Sequence, residues 1–258
     1  MPSNNPILES APIDSILDML KERILSLQYK PGRGLSTASL AKEFGVSREP
    51  VREAMLRLNW DGFVESFPKS GSRVSLINLE KTENERFLRK STELYAIPTF
   101  AANRTNDDLQ KMRKFITKQQ ECIEKKNFYQ FIQYDNAFHK VIFQGIGKEN
   151  VWKTVYNHTP NDARVRLLTG TFLDSGFVQV IEYHLDIVKA AEERDSKRAR
   201  AILEAHLTRT EDELSRVIFM FPDIFTSKQV PNSFFNIRTF QSGVDEYFHS
   251  LLVQRHII

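Results

Sequence analysis

The sequence predicts a mainly α protein in two parts: a small N-terminal domain that ends in a β-hairpin, and a larger all-α antiparallel bundle. Three observations predict it. Residues 12–77 hold short helical stripes joined at a glycine, then two alternating stretches split by a Pro-Lys-Ser-Gly turn. From Asn78 to Phe221 apolar residues recur at helical spacing, interrupted only by short joints. A chain of 258 residues is long enough for two separate cores.

The first helix is expected over Ile13 to Leu27, where Ile13, Ile16, Leu17, Leu20, Ile24 and Leu27 form one stripe and Lys30-Pro31-Gly32 stops it. A second, short helix over Leu35 to Phe44 turns Leu40, Ala41 and Phe44 inward. Gly45 takes the tight turn, because glycine accepts a left-handed backbone at little cost. The next helix begins at Ser47, a good N-cap whose hydroxyl can accept from a first-turn amide. Pro50 sits in that first turn, where a missing N–H matters little. Val51, Ala54, Met55 and Leu58 then share one face, and Arg48, Arg52 and Arg57 lie off it. Trp60 to Phe67 alternates as a strand, Pro68 to Gly71 turns, and Ser72 to Ile77 alternates again. Helix, turn, helix and hairpin make a winged helix-turn-helix. Guanidinium groups opposite a buried seam suit a helix lying in a DNA major groove, and they also suit a plain solvated face.

The letters decide between these readings. Residues 12–77 resemble the DNA-binding domain of the GntR family of bacterial transcription regulators. VSREPVREAML (46–56) is similar to the family's VSRTPVREAL signature, and GFVESFPKSGSRV (62–74) is similar to the end of its wing. The resemblance implies that Arg48 and Arg52 contact operator DNA and that Gly71 approaches the minor groove. Ser47, Glu49, Lys69 and Ser70 are further candidates. Glu49 stands where the signature has Thr; it can accept from a cytosine N4 or repel a phosphate. Thr37 and Ala38 stand where many relatives carry Glu or Arg, which leaves the operator sequence open.

Net charge is only +3, and residues 1–78 hold ten Lys and Arg against nine Asp and Glu. Any positive footprint must therefore be local, at Arg48, Arg52, Lys69 and Arg73. One cysteine, Cys122, excludes an intramolecular disulfide and fits a reducing, cytoplasmic location. No run approaches the ~18 apolar residues of a membrane span, so no membrane partner is expected. Residues 1–11 read as a flexible tail rather than a signal peptide.

The second part, 79–222, reads as six or so helices. They are Glu80 to Ala102 with Pro98 as a kink or break, Asp107 to Lys125, and Phe128 to Gln144. Asn150 to Leu168 follows with Pro160 inside, then Phe177 to Arg194 capped by Ser175-Gly176, then Asp195 to Phe221. Short joints make the bundle antiparallel. Residues 223–258 form an extension rich in aromatic residues, with a possible helix over Asp245 to His256.

Within this bundle Asp135 and His139 lie four apart on the face that holds Phe131, Phe138 and Ile142. His184 belongs to the stripe of Phe177, Val180, Ile181, Leu185 and Val188, and His206 to that of Ala199, Ile202, Leu203 and Leu207. A single histidine on such a stripe is usually hydrogen-bonded locally. A carboxylate and three imidazoles, all inward from three helices, are costly unless paired or metal-bound. Three nitrogens and one oxygen suit a divalent ion. His158, His249 and His256 lack that context.

Residues 79–222 resemble the FCD effector domain of the FadR subfamily, whose metal-binding members carry Asp-x3-His, then a His, then a His in EAHL-like context. Here these are Asp135 to His139, His184, and Glu204-Ala205-His206-Leu207. The resemblance implies a divalent metal, with zinc first and nickel, iron or manganese as alternatives, and a small carboxylate effector. Arg89, with Glu93 four residues on, and Arg164 and Arg166 are the candidate effector contacts, because guanidinium binds carboxylate bidentately. The expected protein is a homodimeric, ligand-responsive regulator, commonly a repressor, acting on double-stranded operator DNA. Two other classes stay open. A helical-bundle metalloenzyme would use the metal to activate water, although no general base or nucleophile accompanies the ligands. A DNA-binding protein without an effector would use the bundle only to dimerise.

Overall fold

The computed structural model describes residues 13–226 except Lys69, Asp174 and Ser175, with the side chains of 210–212 also left aside. The tail expected over 1–11, Lys69 at the wing, the Ser175 cap and the helix expected over Asp245 to His256 lie outside the described residues.

The first domain is α1 (Ile13–Leu25), β1 (Gly34–Leu35), α2 (Thr37–Phe44), α3 (Arg48–Trp60), β2 (Val64–Phe67) and β3 (Gly71–Val74). Its core is the one the stripes dictate. Ile16, Leu20 and Ile24 of α1 are buried with Val51, Ala54, Met55 and Leu58 of α3. Gly45 ends α2 with φ 68°, the left-handed turn that a glycine allows. The sheet runs β1-β3-β2, antiparallel throughout, with Val64 opposite Val74 and Phe67 opposite Gly71.

Four details correct the expectations. Ser47 occupies the N-cap position of α3, but its side chain makes no capping bond. Trp60 ends α3 instead of starting a strand, and it is 89% exposed. The two-residue strand β1 adds an edge to the wing by pairing Gly34 and Leu35 with Arg73 and Ser72. The last strand stops at Val74 instead of Ile77.

The second domain holds seven α-helices among the described residues: α4 (Leu79–Asn103), α5 (Asn106–Glu124), α6 (Phe128–Gln144), α7 (Glu149–Asn157), α8 (Pro160–Phe172), α9 (Gly176–Glu192) and α10 (Ser196–Met220). Proline acts oppositely at its two positions. α4 runs unbroken through Pro98. The Leu94 carbonyl, which Pro98 cannot reach with an N–H, accepts instead from the Arg200 guanidinium of α10. Pro160 starts α8, so the single helix expected over Asn150 to Leu168 is two. Thr159 before it is held out of helical geometry at φ −125°, ψ 47°. α5 packs on α6 and α9, while α4 and α8 pack on α10. Caps come from Asn78, Thr105, Asn127 and Asp195, and Thr105 and Asp108 form a reciprocal capping box.

The domains meet at a buried polar junction. Arg164 of α8 is fully buried and donates from Nη1 to the Ser75 carbonyl at 2.7 Å and from Nη2 to Asn161 Oδ1 at 2.7 Å. The same Asn161 oxygen accepts from the Asn78 N–H at 3.1 Å. Glu85 of α4 accepts from the Asn161 and Asp162 N–H groups, both at 2.8 Å, and from Asn161 Nδ2 at 2.7 Å. Alongside, Ile77 pairs with the segment after α10. It donates to the Ile224 carbonyl at 2.9 Å and accepts from the Thr226 N–H at 3.0 Å.

Burial pushes the Glu85 carboxyl up to about 7, against the pull of the amides that bond it. A folded-state value above the unfolded one stabilises most at low pH, and that stability fades as pH rises through the folded value. Wild type should therefore lose stability relative to Glu85→Gln between about pH 5 and pH 7.5, by up to about 3 kcal/mol. Melting curves of both proteins at stepped pH test this; parallel pH profiles would remove Glu85 as the titrating group.

Candidate metal centre and nucleic-acid interface

α6 presents Asp135 and His139 one turn apart, α9 presents His184, and α10 presents His206. All four are buried, and one ligand atom from each lies within 4.8 Å of the others. His184 Nε2 is 3.5 Å and His139 Nε2 3.8 Å from Asp135 Oδ1. His139 and His206 bring their Nε2 atoms to 3.2 Å of one another.

Two residues aim the rings. Glu93 Oε2 lies 2.5 Å from His139 Nδ1, and Gln119 Oε1 lies 2.9 Å from His184 Nδ1. In the tautomer whose Nδ1–H donates to that oxygen, Nε2 is left as a lone pair turned to the centre. With His139 so fixed, its contact with His206 Nε2 needs a proton or a cation between the nitrogens. His184 Nε2 is buried and has no hydrogen-bond partner among the described residues. An orphaned lone pair aimed at a carboxylate oxygen is what a divalent cation would satisfy, so the donor set fits a metal.

The electrostatics agree. Burial lowers His184 to about 3 and His206 well below the usual imidazole range, so both rings are neutral, as ligands must be. Burial alone would raise Asp135, but His139, Arg166 and Arg89 outweigh it and hold the carboxyl below the usual range. Glu93 is likewise brought down to about 2, as His139 and Arg89 overcome its burial.

The three candidate arginines part company. Arg89 donates from Nε to Glu93 Oε1 at 2.6 Å and stands 3.7 Å from Asp135 Oδ2. Arg166 donates from Nη1 to Asp135 Oδ2 at 2.5 Å and from Nη2 to Asn136 Oδ1 at 3.1 Å, with Nε 3.0 Å from Asp162 Oδ2. Arg164 is two residues from Arg166 on the helix and is carried to the Ser75 junction, away from the cluster where the sequence reading had put it. Sequence reasoning also missed the roles of Glu93, Gln119 and Asp162. Gln119 was findable, as a polar residue at helical spacing from buried Met112 and Ile116. Asp162 was hidden by reading a helix through Pro160.

On the opposite end of the molecule, Ser47, Arg48, Glu49 and Arg52 are all exposed at the N-terminal half of α3. Arg52 is clamped by Glu49, with Nη2 to Oε1 at 2.6 Å and Nε to Oε2 at 3.2 Å. Gly71 has φ 85° and nothing within 4 Å of where a Cβ would be, so backbone geometry selects glycine there rather than crowding. Ser70 beside it is exposed.

A winged helix with exposed arginines on its second helix, joined to a helical bundle, is the architecture of a DNA-binding regulator. Comparison with known proteins says the same. Residues 12–74 match the family described as bacterial regulatory proteins, gntR family, and residues 87–209 match the FCD domain. An HTH-type transcriptional regulator from an unstable DNA locus of Streptomyces ambofaciens is 30% identical over 208 residues, covering 81% of this chain and 87% of that one. The HTH-type transcriptional repressor RspR of Escherichia coli is 27% identical, covering 78% and 88%. Among solved structures, E. coli McbR/YncC superposes with a TM-score of 0.68 at 21% identity, over 80% of this chain and 99% of that one, a likeness of fold. The chain belongs to the GntR family of transcription regulators and carries the FCD domain; it is a DNA-binding transcription regulator. No helix among the described residues is long and apolar enough to cross a membrane.

The Glu49 clamp has a consequence for DNA affinity. Glu49→Gln removes a negative charge from the face of α3 and frees Arg52 to bind phosphate. Affinity for a non-cognate duplex at low salt should rise about three- to tenfold, with a steeper salt dependence. Fluorescence anisotropy at two salt concentrations checks it; unchanged or lower affinity would mean that Glu49 does not hold Arg52 back from phosphate.

Proposed function

We propose that the protein is a ligand-responsive repressor that binds palindromic operator DNA as a homodimer. Asp135, His139, His184 and His206 hold a divalent metal, zinc first, and a small organic acid is the effector. The carrying observation is the convergence of those four donors within 4.8 Å, with two Nδ1 atoms already tied back by Glu93 and Gln119. The repressor assignment is supported by the relative RspR, which is named as one.

When bound, the metal supplies a Lewis-acidic position for a carboxylate oxygen. The chain supplies the rest. Arg89 and Arg166 flank Asp135 and can share their donors with an incoming carboxylate. The cleft lined by Arg86, Arg89, Lys90, Asp162 and His206 holds only about 20 Å³, close to the room one water needs. An organic acid therefore enters by moving α4 and α10 apart. α8 joins that event to the DNA-binding domain, because it reaches Asp135 through Arg166 and Ser75 through Arg164. The effector shifts DNA affinity only by its differential affinity for the two arrangements.

At the DNA end, Arg48, Arg52 and Gly71 make the principal contacts, and Ser47, Glu49, Lys69 and Ser70 are the further candidates. Arg52→Ala should lower operator affinity at least about tenfold while helix content and melting temperature hold. Wild-type affinity in an electrophoretic mobility shift would refute the role. For the metal, equilibrium dialysis with zinc should give one ion per chain. Gln119→Leu, which unties His184, should weaken zinc binding about 10- to 100-fold. Zinc bound equally by a His139→Ala/His206→Ala variant would place the ion elsewhere and overturn the proposed centre.

A further inference from the structure

A second cavity, of about 390 Å³, lies between the two domains. α1 of the winged helix forms one wall with Asp18, Lys21 and Glu22. The bundle forms the other with Tyr129 and Asn136 of α6 and Tyr156 of α7, and Arg166 also borders it. Leu25, Phe63 and Ile132 give the walls an apolar part.

The charges that line this space do not balance. Lys21 is engaged by Asp61 at 2.7 Å. Arg166 is engaged by Asp135, Asp162 and Asn136. Asp18 and Glu22, one turn apart on α1, have carboxylates with no ion-pair or hydrogen-bond partner among the described residues. Burial, then Tyr156, Glu22 and Asp18, raise the Tyr129 hydroxyl, so these four groups converge on one region. A separate observation points the same way. Asn136 is 7% exposed and lines the cavity; its Oδ1 accepts from Arg166, and its Nδ2 has no hydrogen-bond partner among the described residues.

We propose that this interdomain cavity binds a small organic cation that also carries an oxygen acceptor, an amino-alcohol or a relative of one. The ammonium group sits between Asp18 and Glu22 and against the faces of Tyr129 and Tyr156, where carboxylates and aromatic rings both favour it. The oxygen receives the free N–H of Asn136, and the aliphatic stem lies on the apolar wall. Such a ligand touches both domains at once, so its binding favours one relative placement of winged helix and bundle. The site stands independently of any metal at Asp135.

Isothermal titration of the full-length protein with 5-amino-1-pentanol tests it, with 1-pentanol as the uncharged control. Saturable binding of one molecule per chain is expected, with 1-pentanol at least about tenfold weaker. An Asp18→Asn/Glu22→Gln double variant should lose about tenfold in affinity with an unchanged melting curve, since both residues are on the surface. Asp14→Asn, on the same helix but paired with Arg57, should bind as wild type. The proposal fails if the amine does not saturate, if 1-pentanol binds equally well, or if the double variant binds as tightly as wild type.

Discussion

Carboxylates inside a helical bundle have to be matched by cations, and that constraint organises the second domain. Glu93, Asp135 and Asp162 lie almost wholly inside, and the guanidinium groups packed against them are those of Arg89 and Arg166. Counted by formal charge, the group carries one negative charge in excess. The three imidazoles add little positive charge, because burial drives at least His184 and His206 to the neutral form. An interior that sets a carboxylate among neutral nitrogen lone pairs is one that a divalent cation stabilises. The same reasoning explains why Glu93 is there. It neutralises Arg89 and fixes the His139 ring in one contact pair, so a single carboxylate serves both charge balance and ligand orientation.

How far was this legible beforehand? The periodic parts were. The buried face of α3, Val51, Ala54, Met55 and Leu58, follows from spacing alone, and so does the shared face of Asp135 and His139 on α6. Long, strongly amphipathic helices carry their burial pattern in the letters. What spacing cannot express is which of two identical prolines ends a helix. Pro98 is tolerated because Arg200, more than a hundred residues later, takes up the carbonyl it leaves unbonded. Pro160 has no such rescue in its own segment and became a helix start. That misreading also hid Asp162, and it left Arg164 and Arg166 looking equivalent although they point to opposite tasks. The end of α3 was misjudged for a similar reason. Trp60 has strand propensity, but the helix continues through it to a turn at Gly62, whose φ is 78°.

The division between Arg164 and Arg166 bears most on regulation. Residues two apart on a helix point about 200° from one another, so α8 faces two ways by construction. One guanidinium is committed to the carboxylate beside the three histidines. The other is committed to a backbone carbonyl at the exit of the wing. Between them, Asn161 and Asp162 tie the start of α8 to Glu85 of α4. α4 is itself the direct continuation of the wing, since it begins at Leu79, four residues after Ser75. The winged helix is therefore held to the bundle by covalent chain, by a buried hydrogen-bond network that ends on α8, and by the pairing of Ile77 with the segment after α10.

Those attachments limit what the proposed effector could do. A rigid rotation of the winged helix about the chain segment at Ser75 to Asn78 would strip Arg164 of its carbonyl partner and leave a buried guanidinium under-bonded, which is costly. Motion that carries α4 and α8 together keeps the bonds of Arg164 and Glu85, at the expense of those that tie α4 and Ile77 to α10 and the segment after it. An acid that parts α4 from α10 near Arg89 and His206 would displace α4, and Glu85 would take the start of α8 with it. The first domain would then follow as a body, its own apolar core intact. Under the proposed function the buried junction would turn a local opening of the bundle into a change of orientation between two folded units. In a homodimer that change alters the spacing of the two α3 helices, the quantity on which operator affinity depends.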